Sequence, residues 1–197
     1  MAYRPSPRSL AGPRRAPDGS ERVSALRRSR NGQDFQKKRR IPAMVDWNER
    51  LRAAGTYLGV AGIAHLAWEI LQLPLYTLWT RAARWEIAFA VVHCTVGDMM
   101  IAASALTAAV LAGRSWSWPL RDRKQVALLT IIFGLGYTAY SEWFNVYVRH
   151  AWAYSASMPM VRLGAIELGL SPLLQWLIVP IAAFAVMRHG LVRNALR

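Results

Sequence analysis

The chain has little with which to staple itself and little with which to face water. Its one cysteine, Cys94, has no intrachain partner, so a disulfide framework is excluded. Acids are scarce: 11 Asp or Glu stand against 25 Lys or Arg, and charged residues make up only 18% of the chain. The basic excess is unevenly placed. Residues 1–43 hold 12 Lys/Arg and 3 Asp/Glu, whereas residues 44–197 hold 13 and 8. A soluble nucleic-acid-binding domain would set such charge on a folded surface, so composition argues against a nucleic-acid partner. No apolar h-region occurs before residue 53, and Arg14-Arg15 is followed by no apolar segment, so neither a signal peptide nor a twin-arginine signal is expected. No internal repeat is evident.

What is present is hydrophobic, at 54% of residues. The N-terminal 43 residues are the exception, being rich in Arg, Pro, Ser and Gly without apolar periodicity, and are expected to be disordered. Three readings of this tail stand side by side. It is a solvated cytoplasmic segment whose basic groups touch anionic lipid headgroups. It is an organelle transit peptide, against which its prolines and glycines speak. Or translation starts at Met44 and the tail is not made.

Four long apolar stretches follow, at about 53–79, 85–112, 125–148 and 163–187. Each exceeds the roughly 20 residues that cross a ~30 Å hydrocarbon core. Four buried helices of a soluble protein would leave too little polar chain to cover them. The expected fold is all-α: a polytopic membrane protein, a four-transmembrane-helix bundle behind a disordered tail. Arg and Lys concentrate before the first stretch, between the second and third, and after the fourth, which places both termini in the cytoplasm. Trp47, Trp79, Trp85, Trp116, Trp118 and Trp152 fall at or just beyond stretch ends, where amphipathic rings favour the interface.

The informative residues are the polar ones inside the stretches: Glu69, Asp98, Glu142 and Glu167, with His65 and His93. A charge at mid-bilayer costs roughly 2.5–3.5 kcal/mol even on the forgiving insertion scale. These side chains must therefore face inward, find partners or be held neutral. Spacing supports the inward reading. Gly62, His65, Glu69, Gln72 and Tyr76 share one helical face, as do Gly134, Thr138, Ser141, Glu142 and Asn145, and Gly164, Glu167, Ser171 and Gln175. In the second stretch Glu86, His93, Gly97, Met100 and Ser104 share a face, and Asp98 lies about 140° round from His93. At about 1.5 Å per residue the two histidines fall at nearly one level, and the polar groups gather in the outer half. The inner half, such as 105–112 and 126–133, is nearly all apolar. Pro172 is expected to break the fourth stretch and free the Leu168 carbonyl, with Pro74 and Pro180 bending theirs. The connection at 149–162 carries Trp152, Tyr154, Met158 and Met160 and is expected to lie in the interface as a cap over the outer opening.

The strings HLAWEILQLPLY (from His65), HCTVGD (from His93), YSEWFN (from Tyr140), WAYSASMP (from Trp152) and GLSPLLQW (from Gly169) resemble a family of small four-span bacterial inner-membrane proteins. The resemblance covers about residues 61–180 and omits the tail. It implies a bacterial inner membrane and a start near Met44, and it implies no catalytic assignment.

Three kinds of function fit these residues. In the first, the protein is an interaction or assembly subunit whose polar stripes are interhelical hydrogen bonds. Its partner is then a second copy or another membrane protein. In the second, His65, Glu69, Gln72, His93, Asp98, Glu142, Asn145, Glu167 and Gln175 form an intramembrane site. Variants of that site are a metal held by His65, Glu69, His93 and Glu142, haem between His65 and His93, or acid–base chemistry on a quinone or lipid headgroup. In the third, it is a small-solute transporter, against which the apolar inner half speaks. Cys94 is read as a small buried hydrophobe, Trp68, Trp143 and Trp176 as packing residues, and Glu86 as solvated.

Overall fold

The computed structural model describes residues 46–195, with side chains described to residue 190. The tail at 1–43 and the alternative start at Met44 lie outside the described residues. The described chain is mostly helical. Helix α1 (Trp47–Gln72) runs into a single 3-10 turn at Leu73–Leu75 and a short α2 (Leu78–Arg81). Helices α3 (Arg84–Ala112) and α4 (Arg123–Trp143) follow, and α4 ends in a π-turn at Phe144–Val148. A hairpin of β1 (Met160–Leu163) and β2 (Ile166–Gly169) leads into α5 (Leu170–Ala195). The long helices pack as a ring, α1 on α3, α3 on α4, α4 on α5 and α5 on α1.

Local chemistry sets the boundaries. Asp46 caps α1 by accepting from the Asn48 backbone N–H. Glu86, at the third position of α3, reaches back to the Ala83 N–H at 2.7 Å, so it is a capping group and not merely solvated. Pro74 stops α1: the expected stretch at 53–79 begins six residues earlier than read and closes at Gln72.

The fourth stretch departs most from expectation. Residues 163–169 are not helix. They turn at Gly164, whose φ of 64° is a conformation costly for any other residue type, and pair back with β1. Pro172 therefore sits in the first turn of α5, where its missing N–H forfeits no helical bond, and it breaks nothing. Pro180 is the proline inside α5.

Three helical segments are long and apolar enough to cross a membrane: Trp47–Leu75, Arg84–Ala112 and Leu170–Gly190. α4 is comparable in length, but Gly, Thr, Tyr, Ser and Glu dilute its second half. On these three segments the outward-facing side chains, such as Ile63, Leu71, Phe89, Val92 and Ile181, are largely exposed, which is compatible with a membrane-facing surface.

The two ends of the ring differ. Toward the α1 N-terminus the core is apolar and tight: Ala53, Tyr57, Ala61, Ala102, Leu106, Ala109, Val126, Ala183 and Phe184 are buried together. Small residues on α1 and α3 let those helices approach closely. Toward the α1 C-terminus the filling is polar. There the 73–83 and 149–159 segments meet across the end, joined by Thr77 N–H to the Ala153 carbonyl (3.0 Å) and Ser155 N–H to the Leu75 carbonyl (2.9 Å).

Gly134 of α4 is the tightest approach, because the Trp176 ring of α5 occupies the space its side chain would need. Gly134→Ala is expected to cost about 1–3 kcal/mol through overpacking. Gly136→Ala, which meets open space, is expected to be neutral or to gain up to about 1 kcal/mol of helix propensity. Thermal unfolding of both variants in detergent checks the pair; equal melting temperatures contradict the α4–α5 contact.

Candidate functional site

The polar end contains a cavity of about 560 Å³ bounded by all the long helices and the 149–152 segment. Seven of the nine residues singled out in the sequence line it: Glu69, Gln72, His93, Asp98, Glu142, Asn145 and Gln175. His65 and Glu167 do not.

The centre of the polar cluster is the side-chain amide of Gln175 on α5. Its Nε2 lies 2.9 Å from His65 Nδ1, 3.0 Å from Glu69 Oε1 and 2.9 Å from Asp98 Oδ2. Two hydrogens thus meet three acceptors, and both carboxylates have a second donor in reach. Glu69 accepts from Gln72 Nε2 at 2.8 Å, Asp98 accepts from Trp176 Nε1 at 3.3 Å, and His65 Nδ1 stands 3.4 Å from Asp98 Oδ2. The chain continues outward from Gln72, whose Oε1 accepts from Ser171 Oγ (2.9 Å), which in turn accepts from Trp68 Nε1 (3.1 Å). His65 is fully buried beneath the cavity and packs on the Trp176 ring at 5.0 Å; its Nε2 has no partner.

The α3 face was misread in sequence. The inward stripe runs through Val91, Asp98, Ala102, Ala105 and Ala109, while His93, Met100 and Ser104 are exposed. The reason is steric: the alanines permit close helix packing, and that fixes which face turns in. Asp98 is therefore central. His93 stands at the cavity rim, stacked on Phe89 at 5.6 Å.

Glu142 closes the other side. It is buried near the end of α4 and accepts from the Tyr154 hydroxyl at 2.5 Å. Asn145 donates to the Ser141 carbonyl at 2.9 Å, so its amide is engaged within its own helix. The adjoining π-turn, closed by Arg149 N–H to the Phe144 carbonyl at 2.8 Å, belongs to a feature that recurs at functional sites.

Three expectations are corrected. Glu167 lies on β2, opposite Arg162 in the hairpin register, and pairs with it at 2.6 Å in a solvent-facing ion pair outside the site. The metal set His65, Glu69, His93 and Glu142 does not converge: among the described residues no group of three or more His, Cys, Asp or Glu side chains is placed to hold a metal ion. The haem variant loses one of its two ligands from the cavity, since His93 lines it and His65 does not.

The site also includes Thr138 and Trp152, which line the cavity, and Tyr154, which bonds Glu142; Thr138 was expected on the inward face and Tyr154 and Trp152 in the cap, though none was expected as a site residue. Tyr154 and Trp152 sit in a connection without periodicity, where only their aromatic character in an apolar loop marked them. Thr138 shared the face assigned to Glu142 and was visible there. Cys94 lines the cavity rather than the core.

Burial first, and then the neighbouring Glu142 charge, raises the Tyr154 phenol above its ordinary value near 10. The folded protein keeps this proton where the unfolded chain releases it, so stability falls as pH rises past about 10. Tyr154→Phe is expected to make that fall shallower and, at neutral pH, to cost about 1–3 kcal/mol by removing the Glu142 donor. Melting curves between about pH 9 and 11 check this, and parallel profiles contradict it.

Compared with known proteins, the chain matches no protein-family model, no curated protein and no solved structure.

Proposed function

We propose that the chain is a four-span protein of the bacterial inner membrane, with both termini cytoplasmic, that binds an amphipathic small molecule drawn from the membrane. One observation carries this reading. Glu69, Asp98 and Glu142, from three different helices, converge on one cavity, and the lining of that cavity also includes the exposed side chains Phe89 and Met100 of α3 and Tyr137 of α4. A polar floor with an apolar rim at the α3–α4 seam fits a molecule whose body stays in the membrane while its polar end enters the protein.

Physical constraints support the remaining placement. α4 packs between α3 and α5, and its 21 residues span about 31 Å, which suits a fourth crossing. The five strings that carry the resemblance to small four-span inner-membrane proteins are also the strings that build the cavity and its cap. A through-path for a solute finds no support: below Gln175 and His65 the ring is filled by Tyr57, Ala61, Ala102, Leu106, Val179 and Phe184.

A second reading has its own observation. The chain Trp68–Ser171–Gln72–Glu69–Gln175 binds α1 to α5 through internally satisfied hydrogen bonds, as in a subunit whose polar stripe is interhelical glue. That reading needs no cavity, so the cavity separates the two.

Gly97 lies on the cavity wall with open space where its side chain would be. Gly97→Phe is expected to fill the space without unfolding the protein. Native mass spectrometry from mild detergent is expected to show a small-molecule adduct on the wild type and none on Gly97→Phe, with melting temperatures no lower in the variant. A wild type free of adducts in every mild detergent overturns the reading in favour of the assembly role.

A further inference from the structure

We infer that the polar end of the bound molecule is a cationic nitrogen, an ammonium or a similarly charged group. The inference rests on the cavity reading above and adds the chemistry of the ligand's head. Three carboxylates line the cavity, and among the described residues none has a Lys or Arg side chain within 4.0 Å. The basic lining residue, Arg149, is exposed at the rim, as is His93. The depth of the cavity is therefore acidic and has no Lys or Arg countercharge; the buried His65 imidazole stands 3.4 Å from Asp98 Oδ2 and pairs with that carboxyl alone.

Neutral donors do not complete it. Gln72, Gln175, Trp176 and Tyr154 give hydrogen bonds to the carboxylates but no charge. Carboxyl groups withdrawn from water stay ionised only at a cost that a cation or metal relieves and are otherwise held as the neutral acid, and among the described residues the acids do not converge on a metal geometry. Thr138 is an independent pointer to an occupant. It is 6% exposed, lines the cavity four residues before Glu142 on α4, and its Oγ1 has no hydrogen-bond partner. Buried polar atoms are rarely left so. A head carrying N–H donors next to Glu142 and Asp98 would satisfy Thr138 as an acceptor while supplying the missing positive charge. An anionic head would add a fourth negative group to the same space.

The test compares probes that differ only in the head: decylammonium, decanol and decanoate, with ethylammonium as the chainless amine. Binding is read by thermal shift of the full chain in a maltoside detergent, for the wild type, Glu142→Gln, Asp98→Asn and Gly97→Phe. The expected result is that the wild type binds decylammonium at least about tenfold more tightly than decanol, a 1.4 kcal/mol preference. Decanoate is expected to give no shift. The preference is expected to vanish in Glu142→Gln and in Asp98→Asn, either of which suffices if the other does not fold. Gly97→Phe is expected to bind none of the three long-chain probes. Equal or tighter Gly97-dependent binding of decanol or decanoate overturns the cationic head and leaves the cavity reading standing. Absence of Gly97-dependent binding for every long-chain probe overturns both. Ethylammonium bound as tightly as decylammonium supports the cation and overturns its attachment to a membrane-dissolved chain.

Discussion

One side-chain amide holds the polar end together. Gln175 Nε2 sits between Glu69 of α1 and Asp98 of α3, within 3.0 Å of both and 2.9 Å from His65. Away from water, each carboxylate must find its donors inside the protein. A single donor group serves both only if α1, α3 and α5 hold one relative height and rotation. The next residue completes the constraint. Trp176 gives its indole N–H to Asp98 and lays its ring into the notch at Gly134, so two consecutive residues of α5 set the position of every long helix. Hydrogen bonding fixes α1 and α3, and shape fixes α4.

Everything else is arranged around this point. Below it, alanines and the tilted Tyr57–Phe184 pair, with centroids 4.6 Å apart, close the ring with apolar packing that tolerates no void. Above it lies the cavity. The 73–83 and 149–159 segments cross that end and bring Tyr154 onto Glu142 and Trp152 onto the cavity wall. Polar residues in helices otherwise suited to a membrane carry a cost, and this protein gathers them at one end, where they share donors, rather than spreading them along its length.

Much of this was legible in the sequence, and the exceptions have physical causes. The face Gly62–His65–Glu69–Gln72 of α1 and the face Gly134–Thr138–Glu142 of α4 follow directly from helical spacing, and both turn inward as read. Spacing failed on α3. There polarity pointed to His93 and Ser104, but burial followed the small residues Ala102, Ala105 and Ala109, which decide how near the helices come. It failed again at 163–169, where an apolar run with one acid reads equally as helix or strand. The turn at Gly164 and the Arg162–Glu167 pair across the hairpin settle the matter in favour of strand. Tyr154 could not be reached from spacing at all, since its partner lies twelve residues back across a connection without period.

The geometry at Gln175 can be measured directly. Solid-state NMR on the full chain in lipid bilayers, with side-chain amide ¹⁵N in glutamine and carboxyl ¹³C in aspartate and glutamate, reads the distances from Gln175 Nε2 to Asp98 Cγ and Glu69 Cδ. Cross-peaks from Gln175 Nε2 to both carboxyl carbons, lost together in Gln175→Leu, are the predicted result. A Gln175 amide that correlates with neither carboxyl would mean that α1, α3 and α5 do not meet at this residue, and the cavity built above it would go with them.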